Sequence, residues 1–218
     1  MYPENLNGIY FNDIYVHEPG ALISNAAICL VSYSLLIFMG KSRSKFDRDW
    51  KNFILLIGLG ATGGILTHGF PTYLGETWMY IIWGVKNTLV VFANFYAGMA
   101  VVRRFEKFSI YRKWLLAKAV VVSSALFAVY NFLPAVIDLA FTYILVISVL
   151  SSATIADRSS RILRSAFILA LLSGVLYLVK YDVDRLWFTH KDMVHVFVLF
   201  SLILISRAVM ISRRRTES

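Results

Sequence analysis

Seven stretches of the chain are apolar almost without interruption: about residues 21–40, 53–70, 78–102, 114–131, 134–151, 163–180 and 193–211. A helix crossing a bilayer core uses about 20 such residues, so each stretch predicts one spanning helix. The fourth and fifth run together from Trp114 to Ser151, too long for a single span, and Asn131 to Pro134 is the only punctuation in the run. Proline cannot continue a preceding helix but fits the first turn of the next, so the run divides there into a tight helical hairpin. The expected fold is all-α, with residues 1–218 forming a single seven-helix transmembrane domain of a multi-pass integral membrane protein.

Composition agrees. The chain is 58% hydrophobic and 16% charged, whereas soluble domains run at about 45–50% and about 25%. Seven spans with short connections leave no room for a separate soluble domain. The first twenty residues lack Lys and Arg and carry Glu4, Asp13 and Glu18, so they do not read as a cleavable signal, and the first span serves as its own insertion signal. The one cysteine, Cys29, falls inside that span as a small apolar packing residue, with no second thiol for a disulfide.

A net charge of +9 would point a soluble protein toward nucleic acid. Its distribution says otherwise. Lys41, Arg43, Lys45, Arg48 and Lys51 outnumber Asp47 and Asp49; Arg103, Arg104, Lys107, Arg112 and Lys113 outnumber Glu106. Arg158, Arg161 and Arg164 face only Asp157, and Arg207, Arg213, Arg214 and Arg215 face only Glu217. The alternate segments carry no Lys or Arg, except the last, where Lys180, Arg185 and Lys191 accompany Asp182, Asp184 and Asp192. Seven spans put every basic segment on one side, which six or eight would not. The excess of Lys and Arg in cytoplasmic loops then places the N-terminus outside and the C-terminus in the cytoplasm, and leaves no need for a nucleic-acid partner.

This orientation gathers all four histidines on the outer side: His17 before the first span, His68 at the end of the second, and His190 and His195 at the entrance to the seventh. Glu18, Asn25, Thr67, Glu76, Asp138 and Asp192 map to the same side. Ionisable groups at membrane depth are costly and therefore read as functional, and imidazoles with carboxylates are ligands of zinc or a similar divalent metal. Asp192 and His195, three apart, share a helix face; His190 and His195, five apart, reach one ion only if His190 lies in the loop or first turn. The alternative is that these histidines cap helices or sit in the interfacial belt, where Trp78, Trp83 and Trp187 also belong. In Gly63-Gly64-Ile-Leu-Thr67-His68-Gly69-Phe70 the small residues admit a neighbouring helix and Gly69 ends its own, and simple helix packing also accounts for them. Deeper in the spans, Lys86 and Asp138 form a plausible buried pair, while Lys118 snorkels to the inner boundary.

Seven spans, an outer N-terminus, a His ending span two and a His pair opening span seven resemble the CREST superfamily, which includes alkaline ceramidases and progestin and adiponectin receptors. Glu18-Pro19 leading to Ser24-Asn25, Gly63-Gly64 leading to His68-Gly69-Phe70, and His190-x-Asp192-x-x-His195 more closely resemble a bacterial seven-transmembrane family of uncharacterised activity. The resemblance implies a zinc held by His68, His190 and His195, whose bound water attacks a lipid amide or ester on the outer-leaflet side. It implies roles for Asp192, as orienting partner of an imidazole or acceptor of the water's proton, and for Glu76 as the competing base. Two positions depart from the superfamily pattern: Lys191 stands four before His195, where a ligand is usual, and Gly64 stands four before His68 in place of a serine. Membrane lipids are the expected partners and the bacterial inner membrane the expected location, with homo-oligomerisation left open. The rival reading is a non-catalytic lipid-binding receptor or structural membrane subunit. A retinal protein is excluded, since Met193 to Ile211 contains no lysine for a Schiff base. A transporter lacks its usual internal repeat, although Gly58, Gly60, Gly63 and Gly64 loosen span two.

Overall fold

The computed structural model describes residues 8–104, 110–152, 157–184 and 186–216, with the side chains of residues 152 and 214–216 left undescribed. Glu4, Glu106, Lys107, Arg185 and Glu217, and the side chains of Arg214 and Arg215, which enter the charge count above, lie outside the described residues. A short antiparallel hairpin, β1 (Ile9–Phe11) and β2 (Ile14–Val16), pairs Ile9 with Val16 and Phe11 with Ile14. Seven helices follow among the described residues: α1 (Pro19–Met39), α2 (Lys45–Gly69), α3 (Pro71–Arg104), α4 (Tyr111–Val129), α5 (Leu133–Ser152), α6 (Arg158–Val179) and α7 (His190–Thr216).

Helices outrun the apolar stretches where polar residues cap them. α2 begins at Lys45 because Ser44 accepts the N–H of Asp47, and α6 begins at Arg158 because Asp157 accepts that of Ser160. The division between α4 and α5 falls where the sequence predicts it: Tyr130 turns left-handed and Asn131 Oδ1 accepts the Leu133 N–H at 2.8 Å. α3 starts earlier than its apolar run and kinks at Gly75, whose φ of 68° a side chain would disfavour.

Among the described residues six helices are long and apolar enough to cross a membrane, which makes this an integral membrane protein. α4 is the exception by composition, since its 19 residues include Arg112, Lys113 and Lys118. Packing separates the same six. α1, α2, α3, α5, α6 and α7 close into a ring in that order, with α7 returning to α1, and α4 lies outside it against α3 and α5. Many large side chains facing outward, such as Ile37, Phe38 and Phe200, are apolar, as a lipid-facing surface requires.

The ring's two ends differ. At one end four basic segments converge: Arg213 of α7 meets Asp47 of α2 at 2.8 Å, Arg103 of α3 meets Asp49 of α2 at 2.6 Å, and Arg104 of α3 meets Asp157 before α6 at 2.6 Å. Above them lies an aromatic layer in which Trp50, Phe53 and Tyr143 pack on Phe167. The other end holds the histidines.

Candidate functional site

The site is assembled by what precedes α1. The N–H groups of His17 and Glu18 donate to the carbonyls of Gly69 and His68 at 3.0 and 3.1 Å, supplying partners for orphan carbonyls at the end of α2. Tyr15 N–H donates to the Tyr73 hydroxyl at 2.8 Å, and His17 Nε2 meets Thr72 Oγ1 at 2.9 Å. Burial holds the His17 imidazole below its usual pKa against the pull of Glu18. These ties set the Glu18 carboxylate over His68. The turn that starts them, at Asn12 with φ 52°, suits a short polar residue.

Glycines bring the neighbouring helices up to α2. A Cβ on Gly64 would lie 2.2 Å from Asn25 Oδ1 of α1, and one on Gly63 would lie 2.8 Å from Lys86 Cβ of α3. The close approach delivers Lys86 to His68. Lys86 Nζ donates to His68 Nε2 at 3.3 Å, so the ring proton sits on Nδ1 and is donated to Glu18 Oε2. Lys191 Nζ donates to Glu18 Oε1 at 2.6 Å. Burial favours the neutral Glu18 carboxyl, but the His68 hydrogen bond and the Lys191 charge outweigh it and hold the pKa at about 2.

A second chain of contacts orients His195. Asp192 Oδ2 accepts the Thr189 N–H and hydroxyl at 2.9 and 2.8 Å, a capping arrangement that starts α7, and its Oδ1 accepts the Ser24 hydroxyl at 2.8 Å. With its proton so committed, Ser24 Oγ accepts from His195 Nδ1 at 2.7 Å. His195 Nε2 is thereby left as an acceptor that no described residue occupies.

Both imidazoles line a cavity of about 330 Å³ inside the six-helix ring, within the range of about 300–1,000 Å³ common for small-ligand sites. Its walls are apolar, with Ile28, Phe53, Val136, Leu139, Phe167 and Leu202 among them, and no α4 residue contributes. Its polar end carries His68, Lys86, Lys191 and His195, and no Asp or Glu lines it among the described residues. Asn87, 4% exposed, also lines it, and its Nδ2 has no hydrogen-bond partner.

A model for a family of unknown function, DUF6962, matches residues 21–214. The chain belongs to this family. The match runs from the first turn of α1 to the last turn of α7 and so takes in the whole cavity, leaving the hairpin and Glu18 ahead of it. No curated protein and no solved structure matches the chain.

Within this family member the residues named from sequence separate. His68 and His195 come together on the cavity. His190 does not join them: it opens α7, but its Nδ1 meets Asp182 at 2.7 Å and its ring packs 5.9 Å from that of Tyr177. Asp192 reaches His195 only through Ser24, and Glu76 stands exposed beside the kink, off the cavity and without a hydrogen bond or ion pair among the described residues. Among those residues no group of three or more His, Cys, Asp or Glu is placed to hold a metal ion. Two ammonium groups share the polar end with the two imidazoles, and a protonated amine repels a divalent cation and lends it no lone pair. That donor set does not fit zinc.

One sequence-based pairing changes partners, and one lysine expected at the boundary turns inward. Asp138 meets Lys118 Nζ at 2.5 Å and Asn94 Nδ2 at 2.8 Å, so Lys118 is held inside the bundle and Lys86 is left to His68. Trp83 lines the cavity and packs 4.7 Å from the Tyr130 ring, whereas Trp78 and Trp187 face outward. Lys86 and Lys191 are the site residues that sequence reading missed. The signal for the second was already present, as the position where the superfamily has a ligand.

Proposed function

We propose that this is a seven-span protein of the bacterial inner membrane, N-terminus outside, whose outer-side cavity binds an amphiphile with an anionic headgroup and an apolar tail. The convergence of four basic segments at the opposite end supports that orientation. The Lys118–Asp138 pair, which neutralises the charge α4 carries beyond its first turn, supports α4 as the seventh span. One observation carries the binding role: Lys86, Lys191 and the unpartnered Asn87 Nδ2, all donors, converge on an apolar cavity that no described carboxylate lines. This is the lipid-binding reading of the CREST likeness rather than its zinc-hydrolase reading. Quenching of Trp83 by a brominated fatty acid tests it in detergent. The acid is expected to bind roughly tenfold or more tightly than its methyl ester, and Lys86→Met to abolish the difference; equal binding of acid and ester overturns the proposal.

A second reading, hydrolysis of a lipid amide or ester, is supported by His195. Its open Nε2, backed by Ser24 and Asp192, has the arrangement of a general base. A water would give its proton to Nε2 as its oxygen bonds the carbonyl carbon. The adduct then loses its amine or alcohol, which takes that proton, and the lysines hold the fatty-acid carboxylate. Release of fatty acid from ceramide or a monoacyl ester, lost in His195→Ala, is the expected result; no release from either sinks this reading and leaves binding alone. Stoichiometric zinc in the purified protein, lost in His68→Ala, would overturn the conclusion on the donor set.

A further inference from the structure

The basic end of the ring holds a second pocket, about 840 Å³, enclosed by the α1–α2 connection, the start of α2, the end of α3, the start of α4 and the end of α7. Seven Lys and Arg side chains line it against one carboxylate, Asp47. That carboxylate is committed, since it accepts from Arg213 Nε at 2.8 Å and from the Arg43 N–H at 3.2 Å. Arg103 and Arg104 are likewise tied to Asp49 and Asp157, which lie outside the lining. Among the described residues Lys45 and Arg112 make no ion pair, and Arg112 Nε is buried without a hydrogen-bond partner. The first turn of the 25-residue α2 adds the positive end of its dipole, and Phe46 supplies an apolar flank. Placing basic residues on the cytoplasmic side does not require a pocket. Here they surround a space, Arg43, Lys45 and Arg48 from exposed positions, and the buried Arg112 Nε–H has no hydrogen-bond partner among the described residues.

We infer that this pocket binds a phosphate-bearing anion, the headgroup of an anionic membrane lipid or a soluble phosphate. Basic pockets between helix ends at the cytoplasmic face are suited to such headgroups, and the guanidinium fork matches phosphate oxygens. The site is separate from the outer cavity and does not depend on what that cavity binds.

The test uses the full chain in detergent and two double variants of equal charge, Lys45→Gln/Arg112→Gln in the pocket and Lys41→Gln/Lys113→Gln at the same end outside it. Native mass spectrometry compares retention of phosphatidylglycerol and phosphatidylcholine, and thermal melting is followed with added inorganic phosphate. Phosphatidylglycerol is expected to be retained roughly tenfold or more over phosphatidylcholine, with that preference lost in the pocket variant and kept in the control. Stabilisation by inorganic phosphate that the pocket variant alone loses, without lipid preference, assigns the site to a soluble phosphate. Equal losses in both variants, or no response to either probe, overturn the inference.

Discussion

The two ends of the bundle both bury carboxylates, but they satisfy them with different bases. At the basic end Asp47, Asp49 and Asp157 each meet an arginine from another helix, which ties α2 to α7, α2 to α3, and α3 to the start of α6. At the histidine end Glu18 is divided between an imidazole and an ammonium group, and a second imidazole keeps a free nitrogen on a cavity. Guanidinium stays protonated at any working pH and fixes a carboxylate in a planar fork; Lys and His are single-point donors that yield their protons or their partners more readily. The difference teaches that buried charge alone does not mark function. Pairs that close on themselves, such as the three arginine pairs, hold helices together, whereas an unused donor or acceptor facing a space, Asn87 Nδ2 and His195 Nε2 at one end or Arg112 Nε at the other, has something left to offer a ligand.

Breaking an arginine pair at the basic end should cost the most stability. Asp49→Ala removes a carboxylate that accepts two bonds from Arg103, at 2.7 and 2.6 Å. The expected loss is about 2–3 kcal/mol, below the figure for a fully enclosed pair because Arg103 keeps some solvent contact. Ligand binding at the outer cavity should be unchanged. Equilibrium unfolding in detergent reads the first outcome and fatty-acid quenching the second; a variant that loses binding while folded would show the two ends to be coupled.

At the histidine end the largest structural effect should come from Gly64→Ala. The added methyl meets Asn25 Oδ1, so α1 and α2 must separate or Asn25 must move, at about 1–3 kcal/mol. Asn25 lines the cavity, so binding should fall together with stability. Lys191→Met should affect stability less, by about 1 kcal/mol or less for a partly exposed pair, yet weaken anion binding several-fold. Stability loss without any binding loss in Lys191→Met would return Lys191 to a purely structural role.

How far the sequence carried depended on what each signal measures. Apolar runs report membrane depth directly, so all seven helices and the Asn131–Pro134 break were legible. The same runs are silent about ring order, which is why Lys118, and not Lys86, turns out to face Asp138. The hairpin was missed because three-residue strands carry almost no periodicity. Polar residues at span ends pointed to the end of the bundle where His68 and His195 meet on the cavity, since their cost in lipid depends on depth alone. Rotation about a helix axis decided the rest: one residue's difference at the start of α7 sends His190 to Asp182 and Lys191 to Glu18.

A pH-dependent effect best distinguishes the two ends. Glu18 has its carboxyl pKa lowered from 4.5 to about 2 by His68 and Lys191 against the opposing effect of burial. A group so depressed stabilises the fold fully above its unfolded pKa, and this contribution falls away as pH drops through 4.5 toward 2. Glu18→Gln carries no charge at any pH, so its melting temperature should trail the parent's most above pH 4.5 and approach it as pH falls through that window. A constant gap would mean that Glu18 acts by shape or hydrogen bonding rather than by charge. Asp157 is held low by Ser160 and Arg104 in the same sense, so Asp157→Asn should narrow in the same direction. Only at the outer end should ligand affinity respond. Removing the Glu18 charge frees Lys191 toward the cavity, so Glu18→Gln at neutral pH should bind the brominated fatty acid slightly more tightly, while Asp157→Asn should leave it unchanged.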